Sequence, residues 1–274
     1  MSSLVDAAAA TSGYAPVNGL RMYYEIAGAG DPLVYIPPAF GHAGLQSFPS
    51  LFDGHSVITV DLQGHGRTAD IPDTPLSIEQ HANDVIGLLK HLGIEKANLF
   101  GDSYGASAAV MIAVRRPELV NRVVALGATF GPTATAHNPE MLNFDEPPTA
   151  DSRAFQFWQE SYMKVAPDPD YWPTIWDKVA RVQWEGFSRG ELAAIKSPVL
   201  IIVGDHDFVL VEHALETSRL IPNAQLAVIP DASHFVLFSE QERVIPIVKH
   251  FFEKPGKRIP LATAATGYQP GETR

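Results

Sequence analysis

A doubly wound, mostly parallel α/β sheet carrying an inserted helical segment is the fold that the sequence predicts, and three features predict it. Apolar runs recur along the 274-residue chain: LVYI from Leu33, SVITV from Ser56, NLFG from Asn98, VVALG from Val123 and VLIIV from Val199. They are apolar throughout rather than alternating, as strands buried on both faces of a parallel sheet are. Helical patterns fall between these runs, so strand and helix alternate. That alternation breaks from about residue 131 to 190, a stretch that holds all four tryptophans, Trp158, Trp172, Trp176 and Trp184.

The elements follow in order. Residues 1–19 form an N-terminal segment with no basic region, and Asp6 interrupts its only apolar stretch, which argues against a secretory signal. MYYEIA from Met22 is the first predicted strand. In SIEQHANDVIGLLKHLG, Ser77 and Gln80 are spaced as a capping box, Val85, Leu88, Leu89 and Leu92 make an apolar stripe, and Gly93 stops the helix. The run ASAAVMIAV after Ser103 is small and apolar on all sides, the pattern of a helix packed centrally. LAVI from Leu226 is the last predicted strand, and EQERVIPIVKHFFEK is a closing amphipathic helix that Pro246 is placed to kink.

The segment 131–190 has its own helix starts, Asp170 before YWP and the S-x-x-E pattern of Ser188 to Glu191. It is read as a helical cap inserted into a core formed by residues 20–130 and 191–254. The tail, 255–274, is rich in Pro, Gly and Thr without periodicity, and reads as irregular.

Composition narrows the function. Hydrophobic residues make up 46% of the chain, enough for a large core, and the formal charge is -11. A chain that neutralises phosphates needs an excess of Lys and Arg, so neither nucleic acid nor an anionic membrane surface is an expected partner. There are no cysteines, which excludes thiolate nucleophiles, zinc-thiolate sites and iron–sulfur clusters. No apolar run approaches the roughly 20 residues that span a bilayer, and the expected location is the cytoplasm. H-E-x-x-H and the P-loop are missing, and GAGDP at Gly28 lacks the further glycines of a dinucleotide fingerprint. Neither a metal nor a cofactor is expected.

The chemistry is therefore sought among Ser, His, Asp and Glu. Gly101, Asp102, Ser103, Tyr104 and Gly105 fit G-x-S-x-G, with the apolar NLFG run before and the Ala-rich run after. A turn that sharp between strand and helix pushes the serine out, at a helix N-terminus whose free N–H groups favour an oxyanion. Serine needs a base and the base an orienting carboxylate. Of the ten histidines, His81, His91 and His250 fall in predicted helices as surface or packing residues, and His55, His137 and His213 have no supporting context. His42, His65 and His206 lie in loops that could face a site. His234, in IPDASHF after the last strand, sits at the sheet edge where Ser103 also lies. VGDHD after VLIIV offers Asp205 and Asp207, and the order Ser, Asp, His fits this arrangement.

These residues resemble the α/β-hydrolase superfamily over roughly residues 20–253. The likeness rests on G-D-S-Y-G, on G-D-H-D as the family's G-x-x-D acid turn, on P-D-A-S-H-F, and on D-L-Q-G-H-G-R after SVITV. It implies Ser103 as nucleophile, Asp207 as acid with Asp205 as the fallback, and His234 as base. It also implies an oxyanion hole from the Tyr104 N–H and the loop after LVYI. That loop reads P-P-A-F-G where much of the family has His-Gly. Pro37 and Pro38 cannot donate, so the second donor falls to Ala39, with Phe40 next. Family members with an Asp nucleophile carry it at the centre of the elbow, which here is Ser103, so Asp102 reads as a hydrogen-bonding neighbour.

The expected activity is a cofactor-independent serine hydrolase acting on a small-molecule ester or lactone through an acyl-enzyme. Phe40, Trp158 and Trp176 are expected to line the substrate pocket, although any tryptophan of the cap can equally belong to the cap's own small core. Two rival readings are carbon–carbon bond hydrolysis or lyase chemistry on the same triad, and a ligand receptor of this fold without turnover. A homodimer is left open.

Overall fold

The computed structural model describes residues 11–46, 48, 53–138 and 152–253. The irregular tail read at 255–274 and the start of the chain lie outside them. The described residues form eight strands: β1 (Thr11–Val17), β2 (Leu20–Gly28), β3 (Asp31–Ile36), β4 (His55–Val60), β5 (Ala97–Asp102), β6 (Val120–Leu126), β7 (Val199–His206) and β8 (Ala224–Ser233). The helices are α1 (Ile78–His91), α2 (Tyr104–Arg115), α3 (Thr133–Ala136), α4 (Arg153–Met163), α5 (Trp172–Ala180), α6 (Arg189–Ala194), α7 (Val211–Leu220), α8 (Val236–Ser239) and α9 (Gln241–Glu253).

One sheet runs in the order β1-β2-β4-β3-β5-β6-β7-β8. Strands β3 to β8 pair parallel, whereas β2 pairs antiparallel with β4 and with the edge strand β1. The predicted parallel sheet is thus present, with all seven apolar runs in strands. Strand β1 was not predicted as one: TSGYAPV carries Gly13 and Pro16, which weaken a strand signal but are tolerated at an edge.

Because side chains alternate across a pleated strand, each buried strand feeds two cores. Val34, Ile36, Leu99, Val123, Ala125 and Ile201 face a core shared with α1, α2, α6 and α7. Leu33, Tyr35, Phe100, Val124, Leu126 and Ile202 face one shared with α8 and α9. The small side chains of α2 bring it against the middle of the sheet, and its residues from Gly105 to Ala113 are buried. In α1 Ser77 caps Gln80 N, but the Gln80 side chain donates to Asp84 rather than back to the cap, so only half of the expected box forms. The box at Ser188 and Glu191 is complete.

Helices α3 to α6 lie between β6 and β7. Trp158, Tyr162, Trp172 and Ile175 pack there with Leu76 as a third, smaller core. Polar ties fasten it to the sheet's loops: Lys178 to Asp70 at 2.6 Å, Tyr171 to Asp70 at 2.8 Å, and the His42 ring to Ser161 at 3.0 Å.

Candidate active site

At the end of β5 the chain turns into α2 within one residue, Ser103, whose φ is 52°. That left-handed conformation is costly for a residue with a side chain and marks a site held by its surroundings. Those surroundings require both flanking glycines. A Cβ on Gly101 would stand 2.3 Å from the Gly105 carbonyl oxygen, and one on Gly105 would stand 2.1 Å from that of Ile36. The second contact also shows how closely the end of β3 passes the elbow, which is what brings the Ala39 loop beside Ser103.

Three side chains from three strand ends converge here. The Ser103 hydroxyl lies 2.8 Å from His234 Nε2, and His234 Nδ1 lies 2.8 Å from Asp207 Oδ1. Oδ1 also accepts the Val209 N–H at 2.9 Å, which fixes the carboxylate from the other side. The Asp207 side chain is fully buried and that of His234 nearly so. With Nδ1–H donated to the carboxylate, Nε2 is the tautomer that can take a proton from Ser103. Asp205 points elsewhere: its carboxylate accepts the Ala232 N–H at 3.1 Å on an exposed rim.

Gly127, at the end of β6, has φ 59°, and a Cβ there would lie 2.9 Å from His234 Cε1. Sequence reading passed over it, although a glycine closing a buried strand at this edge of the sheet is the signal that could have found it. Asp102 is buried beside the site. Burial pushes its carboxyl up to about 7, with His234 pulling it down and Asp207 pushing it further up.

A cavity of about 260 Å³ opens at Ser103. Ala39 and Tyr104 line it with the serine, and as the first residue of α2 Tyr104 has an N–H without an intrahelical partner. Ile78, Val179, Val182, Trp184 and Phe208 form apolar walls, and Ser107, Thr129 and His137 a polar one. The polar wall is internally bonded: Ser107 and the Trp184 indole both donate to the Thr129 carbonyl, and the Thr129 hydroxyl lies 2.8 Å from His137 Nε2. Burial pulls the His137 imidazole down to about 4; His234 adds to this and Asp207 opposes it.

Three expected pocket residues stand apart from this lining. Phe40 stacks on Trp176 at 4.8 Å and 11°, and Trp158 and Trp172 close around it. Large aromatic faces bury most surface against one another, so Phe40, Trp158 and Trp176 complete the third core. The tryptophan at the cavity is Trp184. Of the loop histidines, His42 and His65 are buried in other hydrogen bonds and His206 is exposed. His137, which had no supporting context in sequence, is the second histidine at the cavity. At the GHGR turn Asp61 accepts the Ala43 and Arg67 N–H groups and so pins the two loops together.

The Alpha/beta hydrolase family matches residues 26–247. The chain belongs to that family. Among curated relatives, the 2-hydroxy-6-oxononadienedioate/2-hydroxy-6-oxononatrienedioate hydrolase of Paraburkholderia phymatum is 29% identical, covering 86% of this chain and 93% of its own. A meta-cleavage product hydrolase from Pseudomonas fluorescens superposes with a TM-score of 0.74 at 22% identity, over 89% and 97% of the two chains. The enol-lactonase from Burkholderia xenovorans superposes with 0.69 at 24% identity, over 88% and 100%. At such identities the superpositions show the shared fold. With its named hydrolase relatives, this family member is a hydrolase. No described helix is long and apolar enough to cross a membrane.

Proposed function

We propose that this hydrolase cleaves an uncharged, moderately apolar carboxylic ester or lactone through an acyl-enzyme. Ser103 attacks the carbonyl, His234 takes the serine's proton and returns it to the leaving oxygen, and Asp207 orients His234. The N–H groups of Tyr104 and Ala39 hold the oxyanion. Helices α4 and α5 and the strand-free stretch around Trp184 act as the cap that closes over the substrate.

The observation that carries the uncharged substrate is the cavity's lining, which among the described residues includes neither Lys nor Arg. A carboxylate placed there would be desolvated without a partner, at a cost of several kcal/mol. A second reading, carbon–carbon bond hydrolysis, is favoured by the relatives that act on dienedioates, and it uses the same triad. The two separate on charge.

The test is a rate screen over neutral aryl esters of increasing acyl length, neutral lactones, and dienedioates, with Ser103→Ala as control. Turnover of neutral esters or lactones that Ser103→Ala reduces by on the order of 10⁵ to 10⁶ supports the proposal. Preference for the dianionic substrates by kcat/KM would replace it with the second reading.

A further inference from the structure

Phe208 follows Asp207 directly and is part of the cavity wall. Its ring centroid lies 3.8 Å from that of His234, with the planes 31° apart. At that separation two rings can meet only face to face, since an edge-on approach keeps centroids about 5 Å or more apart. The imidazole is thus held on three sides: Asp207 at Nδ1, Ser103 at Nε2, and the Phe208 face over the ring plane.

The placement of Phe208 is itself fixed. Its carbonyl accepts the Asn138 N–H at 2.7 Å, and the Leu210 N–H donates to Ala136 at 2.9 Å, so the backbone on both sides is tied to the start of the segment after β6. The His137 ring meets Phe208 nearly at a right angle, 5.2 Å away. Nothing in the proton transfer between Ser103 and His234 needs an aromatic ring at this position, and an aliphatic side chain would fill the wall equally well.

We propose that Phe208 is a positioning residue for His234, its π face favouring the imidazolium that forms when Nε2 takes the serine's proton and holding the ring in the plane of the triad. The negative face of an aromatic ring attracts a cation, and more strongly where water is excluded. The charge it acts on is transient. The proton leaves Ser103 Oγ for His234 Nε2 as the carbonyl is attacked, and returns to the leaving oxygen as the tetrahedral intermediate collapses. Phe208 therefore stabilises a state on the way to the acyl-enzyme more than the resting enzyme, which is what accelerates a step.

The other groups that act on His234 are Asp207 from the turn after β7, Asp102 from the end of β5, and His137 from the segment after α3. Phe235, next in sequence, meets the imidazole edge-on at 5.9 Å and 79°. Because the His137 ring also packs on Phe208, the Phe208 ring's own effect is isolated by variants that keep its shape and change only its charge distribution.

This inference rests on His234 as the base. The test therefore begins with His234→Ala and Ser103→Ala: if either retains turnover of a neutral ester, the reading of the site fails and not merely the role of Phe208. With both inactive, kcat and the pH profile of kcat/KM are measured for Phe208→Leu and for enzyme carrying mono-, di- and pentafluorinated phenylalanine at 208. Fluorination leaves the ring's shape and drains its negative face, so these variants remain informative if Phe208→Leu does not fold.

The expected result is a fall in kcat of about three- to thirtyfold in Phe208→Leu, graded with fluorine number across the series. Because neutral imidazole is the active form in the free enzyme, loss of a group that favours imidazolium moves the acidic limb of kcat/KM to lower pH, by roughly half a unit to one and a half units. An unmoved limb with unchanged kcat in the fluorinated series overturns the proposal. So does a change confined to KM, which would make Phe208 only a wall of the cavity.

Discussion

Ser103 and Trp184 line the same cavity, yet different physics holds each of them there. On the sheet's side, backbone geometry does the placing: a serine at φ 52°, glycines at which a Cβ would stand only 2.1 to 2.9 Å from a neighbouring atom, and three strand ends brought into register by parallel pairing. On the side of helices α4 to α6, the placing is done by aromatic side chains packed on one another. Phe40, Phe155, Trp158, Trp172 and Trp176 share one cluster, while Trp184 packs at the edge of the α1–α2 core, with an indole hydrogen bond to Thr129 and Phe187 at 5.1 Å. In the proposed reaction the first side would fix which bond is attacked, and the second what shape surrounds it.

If that contrast is right, damage on the sheet's side should cost rate without regard to substrate. The largest effect after loss of the serine is expected at the acid: Asp207→Asn should lower kcat by about 10⁴, since the amide presents the wrong partner to His234 Nδ1. Asp205→Asn, on the exposed rim, should stay within a few-fold of the parent for every ester tested. A crippled Asp205 variant beside a mild Asp207 variant would mean that the bond between Asp207 and His234 is not the one used in turnover.

A smaller loss is expected where only the placing is disturbed. Gly127→Ala adds a methyl group 2.9 Å from His234 Cε1 at a φ that disfavours a side chain, so the imidazole must shift while every reactive atom remains. A displacement of about 1 Å in a catalytic group can cost on the order of 100-fold. We expect kcat to fall by about that factor with KM nearly unchanged, and equally for small and bulky esters. Parent-like kcat in a folded Gly127→Ala enzyme would show that the sheet edge has more slack than its contacts imply.

The same contrast explains what was legible in the sequence. The turns that carry Ser103, Asp207 and His234 are local in sequence because each is a few residues bent by backbone constraints: glycine next to a short polar residue records the bend in GDSYG and GDHD, and in PDASHF it falls at Asp231, whose φ is 53°. Gly127 was equally constrained but lacked a motif around it. That Ala39 lies at the cavity beside Ser103 fits the elimination of Pro37 and Pro38, which have no N–H to give. The pocket was not legible. Nothing in FQFWQESYM or YWPTIW says which aromatic faces turn inward, because that depends on how α4 and α5 pack on each other and on Phe40, a residue more than 100 positions away. His137 and Thr129 were invisible for the same reason: a pair of cavity-lining polar residues eight positions apart looks like any other polar pair in a loop. Strand β1 went unread because an edge strand tolerates the glycine and proline that a buried one does not.

The finest test separates two tryptophans that the sequence treats alike. Trp184 walls the cavity, whereas Trp176 stacks on Phe40 within the third core. Trp184→Ala should remove apolar contact from a bulky acyl or alcohol group and not from an acetyl ester. Its kcat/KM for the bulky ester should therefore fall about 10- to 200-fold, the range for apolar contacts worth roughly 1 to 3 kcal/mol, with little change for acetate. Trp176→Ala should do the reverse. It opens space inside a packed cluster, so the expected cost is stability, up to about 3 kcal/mol, with no size-dependent change in specificity. Melting temperature and kcat/KM against acyl length, measured on both variants, give a crossed pattern if the cavity wall and the aromatic core are distinct. Equal loss of stability in both, with no dependence on ester size in either, would merge the two regions and make Trp184 one more core residue.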